Sequence, residues 1–134
     1  MILVSSCLLG ISCRYDGESR PSPEAFQLIK GVNGVIPVCP EQLGGLATPR
    51  PAARLMGGDG FDVLAGRAKV VRVKDGKDVT AAFVAGAKEC LRLVKLFGLE
   101  EAVLKSRSPS CGLRKPVGVT AAAILLAGVS VREL

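Results

Sequence analysis

Five cysteines and no histidine decide what chemistry this 134-residue chain can carry. Without imidazole it lacks the ordinary proton carrier of neutral pH and the commonest nitrogen ligand for a metal, which leaves thiols, carboxylates, Lys, Ser and Tyr. Three of the thiols share a setting: Cys7, Cys39 and Cys111 each follow an apolar strand or strand-like run and stand beside turn residues. In open parallel sheets ligands collect outside the carboxyl ends of the strands, so cysteines placed there can converge although they lie far apart in the chain. Converging thiolates suit zinc and iron-sulfur clusters alike, and the doubled C-x-x-C spacing of a zinc site is absent. The number three favours a cluster: a 4Fe-4S cluster ordinarily takes four Cys ligands, and with three of them one iron stays open as a Lewis acid. The competing reading of any single thiol is a small core hydrophobe. Cys90 is assigned that role, because Phe83, Ala87, Cys90, Leu91 and Val94 fall on one helical face. Cys13 lies in a polar loop six residues after Cys7 and is taken as a non-ligand, since no strand end places it.

The elements that must position these residues can be read in part. Residues 1–6 and 34–38 are apolar runs too short for helices and are predicted as buried strands. Between them Ser22-Pro23-Glu24 starts a helix, with Ser22 as N-cap, Pro23 at the first position, and Phe26, Leu28 and Ile29 following. Residues 44–66 are dense in Gly and Pro and read as a surface excursion that covers a site. Within it Gly57-Gly58-Asp59-Gly60 lacks the Lys-Ser/Thr of a phosphate loop and is expected to be a mobile cover. Residues 68–73 are predicted as a strand, Asp75-Gly76 as a turn, and Thr80 as the cap of a long helix that runs through Phe97 and ends at Gly98. A strand over 102–105, a helix over 119–127 and a strand over 129–132 follow. The alternation predicts an α/β fold: one domain over residues 1–134, three-layer α/β/α, with a mostly parallel, Rossmann-like sheet.

Composition narrows the function classes. Hydrophobic residues at 49% and charged residues at 22% exclude a disordered or low-complexity chain. The net charge of +6 favours anionic partners. With no Trp, one Tyr and four Phe, stacking platforms for single-stranded nucleic acid are scarce, so generic RNA binding is the weaker reading. The odd Cys count disfavours a disulfide framework and leads to the expectation of a reducing, cytoplasmic location. The opening Met1-Ile2-Leu3-Val4-Ser5-Ser6-Cys7 has no leading basic residues and too short an apolar stretch for an export signal. Residues 117–131 are interrupted by Gly118, Thr120, Gly128 and Ser130 and fall short of the roughly 20 residues of a spanning helix, so no membrane segment is predicted.

A resemblance covers nearly the whole chain. Ser5-Ser6-Cys7-Leu8-Leu9-Gly10, Arg14-Tyr15-Asp16-Gly17, Val38-Cys39-Pro40-Glu41, Gly44-Gly45-Leu46, Thr48-Pro49-Arg50-Pro51, Gly76-Lys77-Asp78-Val79-Thr80 and Leu104-Lys105-Ser106-Arg107-Ser108-Pro109-Ser110-Cys111-Gly112 occur in that order. Together they resemble the bacterial family that includes the thiouracil desulfidases. The resemblance implies a 4Fe-4S cluster held by Cys7, Cys39 and Cys111 with its fourth iron open to the sulfur of a thiocarbonyl substrate. It further implies hydrolytic, non-redox removal of sulfur from a small thiolated pyrimidine such as thiouracil, giving uracil and hydrogen sulfide. Glu41 and Ser108 match the family's catalytic acidic residue and serine, Glu41 handling the proton of the attacking water. Ser110, Lys105 and Arg14 are expected on the substrate, with Lys105, Arg107 and Arg14 offsetting the charge of cluster and thiolates. After Cys111-Gly112, Leu113-Arg114-Lys115-Pro116 runs quickly into Val117-Gly118, a shorter loop than the resemblance leads one to expect, and the substrate wall is expected to differ accordingly. Two other functions are weighed against this one: a non-catalytic zinc- or cluster-binding module that engages RNA, and desulfuration of a thiolated tRNA or nucleotide.

Overall fold

In the computed structural model, which describes residues 1–134, the first apolar run becomes β1 (Ile2–Ser5), all four residues of which are buried. Pro23 then opens α1 (Pro23–Lys30), where the Ser22 hydroxyl accepts from the Ala25 amide at 3.2 Å, as the N-cap reading expects. β2 (Val35–Val38) returns parallel to β1 with Ile2 opposite Val35 and Ser5 opposite Val38. After α2 (Pro40–Leu43), β3 (Ala53–Met56), α3 (Gly60–Leu64), β4 (Lys69–Arg72) and α4 (Thr80–Phe97), the chain re-enters the sheet on the other side of β1 as β5 (Glu101–Leu104). There Leu3 stands opposite Ala102. Helix α5 (Val119–Leu126) leads to β6 (Ser130–Glu133), and the four-stranded parallel sheet has the order β2-β1-β5-β6.

Strand pleating sorts the core into two layers. Leu3, Val38, Ala102 and Leu104 pack on Cys90 and Val94 of α4 and on Ala121 and Ile124 of α5. Ile2, Val4 and Val103 point the other way, onto Ala25, Leu28 and Ile29 of α1. This is the three-layer α/β architecture with a mostly parallel sheet that the alternation of elements predicts. The chain leaves β1 through α1 on one face to reach β2, and reaches β5 through α4 on the opposite face. A crevice therefore opens at the carboxyl ends of β1, β2 and β5, where the direction of winding reverses.

Four local expectations are corrected. The strand over 68–73 is not a member of the parallel sheet: β4 pairs antiparallel with β3, Ala53 opposite Arg72, in a separate two-stranded sheet. Its partner β3 is four residues long and sits between Pro51 and Gly57, inside the segment whose Gly and Pro content hides it. Thr80 is the first residue of α4, not its cap; the Asp78 carboxylate accepts from the Thr80 amide at 2.8 Å, and the Thr80 hydroxyl accepts from the Val70 amide at 2.9 Å, tying α4 to β4. Gly57-Gly58-Asp59-Gly60 is not a cover over the crevice. Asp59 and Asp62 form a reciprocal capping box that starts α3, and a Cβ on Gly60 would lie 2.2 Å from the Gly118 carbonyl oxygen. Phe26, included in the apolar pattern of α1, faces outward, because the buried side of that helix is centred on Ala25.

Helix α2 crosses α4 backbone to backbone. A Cβ on Gly86 would stand 1.9 Å from the Pro40 carbonyl oxygen, and one on Gly44 would stand 2.0 Å from that of Ala82. Gly86→Ala must push α2 off α4, at an expected cost of about 1–3 kcal/mol in urea unfolding; an unchanged midpoint would show that this crossing does not hold α2.

Candidate active site

Cys7 and Cys39 stand at strand ends as expected, whereas Cys111 lies in the loop well beyond Leu104, the last residue of β5; each is fixed by its own backbone device. Beyond β1 the chain tightens into a 3-10 turn, Ser6–Leu9, closed by Gly10 at φ +87°. The Cys7 carbonyl accepts from the amides of Gly10 and Arg20, which folds the following loop back over the strand end. Cys39 directly precedes Pro40, the first residue of α2, so the glycine contacts that seat α2 also seat Cys39 and Glu41. Cys111 lies in the loop after β5. The Ser108 hydroxyl oxygen accepts from the amides of Ser110 (3.2 Å) and Cys111 (3.1 Å). The first amides of α5 donate into the same loop, Val119 to the Pro109 carbonyl at 2.9 Å, and Thr120 and Ala121 to that of Ser110 at 2.8 and 3.0 Å. The donors that a helix N-terminus leaves unpaired thus clamp the Cys111 segment.

These segments enclose a cavity of about 280 Å³. Cys7, Cys39, Cys111, Glu41, Ser108, Lys105 and Arg14 of the expected site all line it. Ser110 does not: it is 1% exposed and stands behind Glu41, donating its hydroxyl to Glu41 Oε2 at 3.0 Å. Cys90 lies in the core between sheet and helices, where burial pushes its thiol up to about 12. Cys13 is on the wall with the other three thiols, brought there by a loop rather than by a strand.

The thiols are electrostatically unequal. Hydrogen bonding with Cys13 lowers both Cys39 and Cys7. For Cys39, with the Arg50 guanidinium adding to the effect, the thiol falls to about 6; Cys7 is lowered further by Arg14 and Lys105. Cys13 is itself pushed up by the same contacts with Cys39 and Cys7. Burial raises Cys111, opposed by a hydrogen bond with Ser5. Burial and the neighbouring Arg14 charge lower the Lys105 ammonium, which donates to the carbonyl and hydroxyl of Ser106, both at 3.1 Å. Arg14 lies over the Tyr15 ring at 5.7 Å, and its Nε is 3.8 Å from Asp16.

Arg50 is a site residue that sequence reasoning does not single out. Its Nε donates to Glu41 Oε1 at 2.9 Å, and the pair is nearly dry, with Arg50 5% and Glu41 14% exposed. The only sequence signal is its place in Thr48-Pro49-Arg50-Pro51. A second cavity of about 640 Å³ shares the wall formed by Lys105, Ser106, Arg107, Ser108 and Pro109, and carries Arg54, Arg114 and Lys115. Arg107, between the two cavities, holds φ at +57°, the one residue other than glycine with positive φ.

A family model described as 2-thiouracil desulfurase matches residues 2–132. The chain belongs to the 2-thiouracil desulfurase family. Among solved structures, that of a [4Fe-4S]-dependent thiouracil desulfidase, TudS (DUF523Vcz), is similar at a TM-score of 0.81 and 35% identity, covering 98% of this chain and 89% of that one. The uncharacterized protein YbbK of Bacillus subtilis (strain 168) is 46% identical over 112 residues, 84% of this chain and 73% of that protein. No helix of this family member is long and apolar enough to cross a membrane.

The Ser108 hydroxyl serves as acceptor for two amides of the Cys111 loop, so Ser108→Ala is expected to destabilise the metal-free protein by about 1 kcal/mol. Equal urea midpoints for Ser108→Ala and wild type would contradict that role.

Proposed function

We propose that this chain is a desulfidase that removes sulfur from a thiolated pyrimidine of the thiouracil class by hydrolysis, with a 4Fe-4S cluster held by Cys7, Cys39 and Cys111. The observation that carries the reading is the convergence of thiols from the segments that follow three adjacent strands on one cavity ringed by Arg14, Arg50, Lys105 and Arg107. The donor set suits such a cluster: the Cys7 and Cys39 thiols are held low while burial holds Cys111 up, Arg50 reaches Cys39 Sγ, and four cations line the wall to offset negative charge. When bound, the cluster supplies an open iron as a Lewis acid for the thiocarbonyl sulfur.

The chain's own groups do the rest. Glu41 accepts a proton from water attacking the thiocarbonyl carbon and returns it to the departing sulfide, so that water and the C=S bond are exchanged for C=O and hydrogen sulfide. Each of its carboxylate oxygens already holds one donor, Arg50 or Ser110, and keeps a lone pair for that water. Both lone pairs of the Ser108 hydroxyl are filled by amides, so its O–H is left to donate, to a pyrimidine carbonyl or to the water. Lys105 and Arg14 hold positive charge beside Cys7 and the substrate. Ser110, fully buried behind Glu41, acts on the substrate through that carboxylate.

A thiolated nucleotide is the second reading, favoured by the basic second cavity that opens from the Lys105–Ser108 wall. If the free base is the substrate, kcat/KM for 2-thiouracil should equal or exceed that for a thiolated nucleoside monophosphate and should vary little with salt. A preference of more than about tenfold for the nucleotide, lost at high ionic strength, would assign the second cavity to phosphate.

Cys7→Ala, Cys39→Ala and Cys111→Ala should each lose iron and turnover after anaerobic reconstitution, while Cys13→Ala and Cys90→Ala keep iron. Full activity in any of the first three overturns the ligand set. Glu41→Gln should keep iron and lose about 10²- to 10⁴-fold in kcat, the usual worth of a positioned proton carrier, read as loss of 2-thiouracil absorbance.

A further inference from the structure

Arg50 is built into the cavity wall more thoroughly than an ion pair requires. Its Nε donates to Glu41 Oε1 at 2.9 Å. Nη1 donates to the Thr48 hydroxyl at 3.0 Å and the Ala47 carbonyl at 3.3 Å. Nη2 donates to the Cys13 carbonyl at 2.9 Å and lies 3.8 Å from Cys39 Sγ. The Thr48 hydroxyl accepts in turn from Gln42 of α2 at 2.7 Å, and the Arg50 amide donates to the Tyr15 carbonyl at 2.8 Å. A buried guanidinium is costly unless every face of it is paired, and here the fork is satisfied by three different segments of chain. A lysine has one point of charge and cannot answer all three directions.

From this arrangement we infer that Arg50 is the positioning residue of the site, holding the Glu41 carboxylate and the Cys39 sulfur in fixed register. The inference rests on the desulfidase reading. Glu41 is pinned on both sides, by Arg50 at Oε1 and by Ser110 at Oε2, so one polar chain runs from the Thr48–Arg50 loop through α2 to the residue before Cys111. The Cys13 carbonyl accepts from two donors, the Cys39 thiol at 3.5 Å and Arg50 Nη2. The same guanidinium then orients the proton carrier and supports the metal ligand two residues before it.

The test uses the full chain, reconstituted without oxygen, as wild type, Arg50→Ala, Arg50→Gln, Arg50→Lys and the control Arg92→Ala, whose side chain is 75% exposed and pairs only with Glu89. Iron per chain, the visible circular dichroism of the cluster and the rate of iron release to a ferrous chelator are read beside kcat and KM for 2-thiouracil. Loss of a group that orients a metal ligand or its partner typically costs about 10- to 100-fold in activity or metal retention. Arg50→Ala, or Arg50→Gln if the alanine variant does not fold, should load iron, show an altered dichroism, release iron faster and lose kcat on that scale with a much smaller change in KM. Millimolar guanidinium should restore part of kcat to Arg50→Ala. Arg50→Lys should stay impaired, and Arg92→Ala should match wild type throughout. Wild-type kcat and iron release in Arg50→Ala overturn the inference. So does a loss that guanidinium leaves untouched and that merely follows a fall in thermal stability. If the loaded wild type does not turn over 2-thiouracil, the desulfidase reading fails instead, and the iron-release and dichroism comparison still decides whether Arg50 supports Cys39.

Discussion

Bringing several ionisable sulfurs into one small cavity is the constraint on which the rest of this structure depends. Thiolates held together repel one another, and in a partly desolvated crevice that repulsion is screened far less than in water. The chain answers with hydrogen bonds and cations from separate segments. Hydrogen bonding with Cys13 holds Cys7 and Cys39 low, Arg50 reaches Cys39 from the Thr48–Arg50 loop, and Arg14 and Lys105 approach Cys7 from the loops after β1 and β5. The surplus of basic residues, which in the sequence alone points equally to nucleic acid, is partly accounted for by this local demand.

The parallel sheet makes the gathering possible, and backbone contacts make it rigid. Three neighbouring strands end at one level, so turns of one to a few residues bring Cys7 and Cys39 to the same crevice, and the Ser108 loop brings Cys111 to its wall. The α2 segment is seated by Gly44 and Gly86 against α4, and the Cys111 loop by the amides of α5 and by Gly118, where a Cβ would meet the Ser110 carbonyl at 2.5 Å. Such contacts leave little slack, which suits ligands that must hold fixed directions.

Much of this was legible in the sequence, for physical reasons that differ by residue. Cys7 and Cys39 could be placed because they terminate short branched apolar runs, and such runs in alternation with helices have few solutions besides a parallel sheet. Arg50 could not, because it comes from a Gly- and Pro-dense stretch without periodicity and meets Glu41 only through the path of the loop. Cys13 is similar: a polar loop with no strand end carries it to the cavity wall, where its thiol bonds two of the others. The two-stranded sheet of β3 and β4 is not legible in the sequence because a four-residue strand between Pro51 and Gly57 carries too little pattern. Motif position alone does not distinguish Ser108 from Ser110, and the hydrogen bonds separate them: one hydroxyl faces the cavity with its proton free, and the other is spent on Glu41.

The central claim is that these thiols hold a cluster, and the most direct measurement is iron and acid-labile sulfide per chain, with the visible spectrum, on protein purified or reconstituted without oxygen. The account predicts about four of each and a broad thiolate-to-iron absorption, as for one 4Fe-4S cluster. Zinc in stoichiometric amount, or no metal with the thiols free, would contradict it.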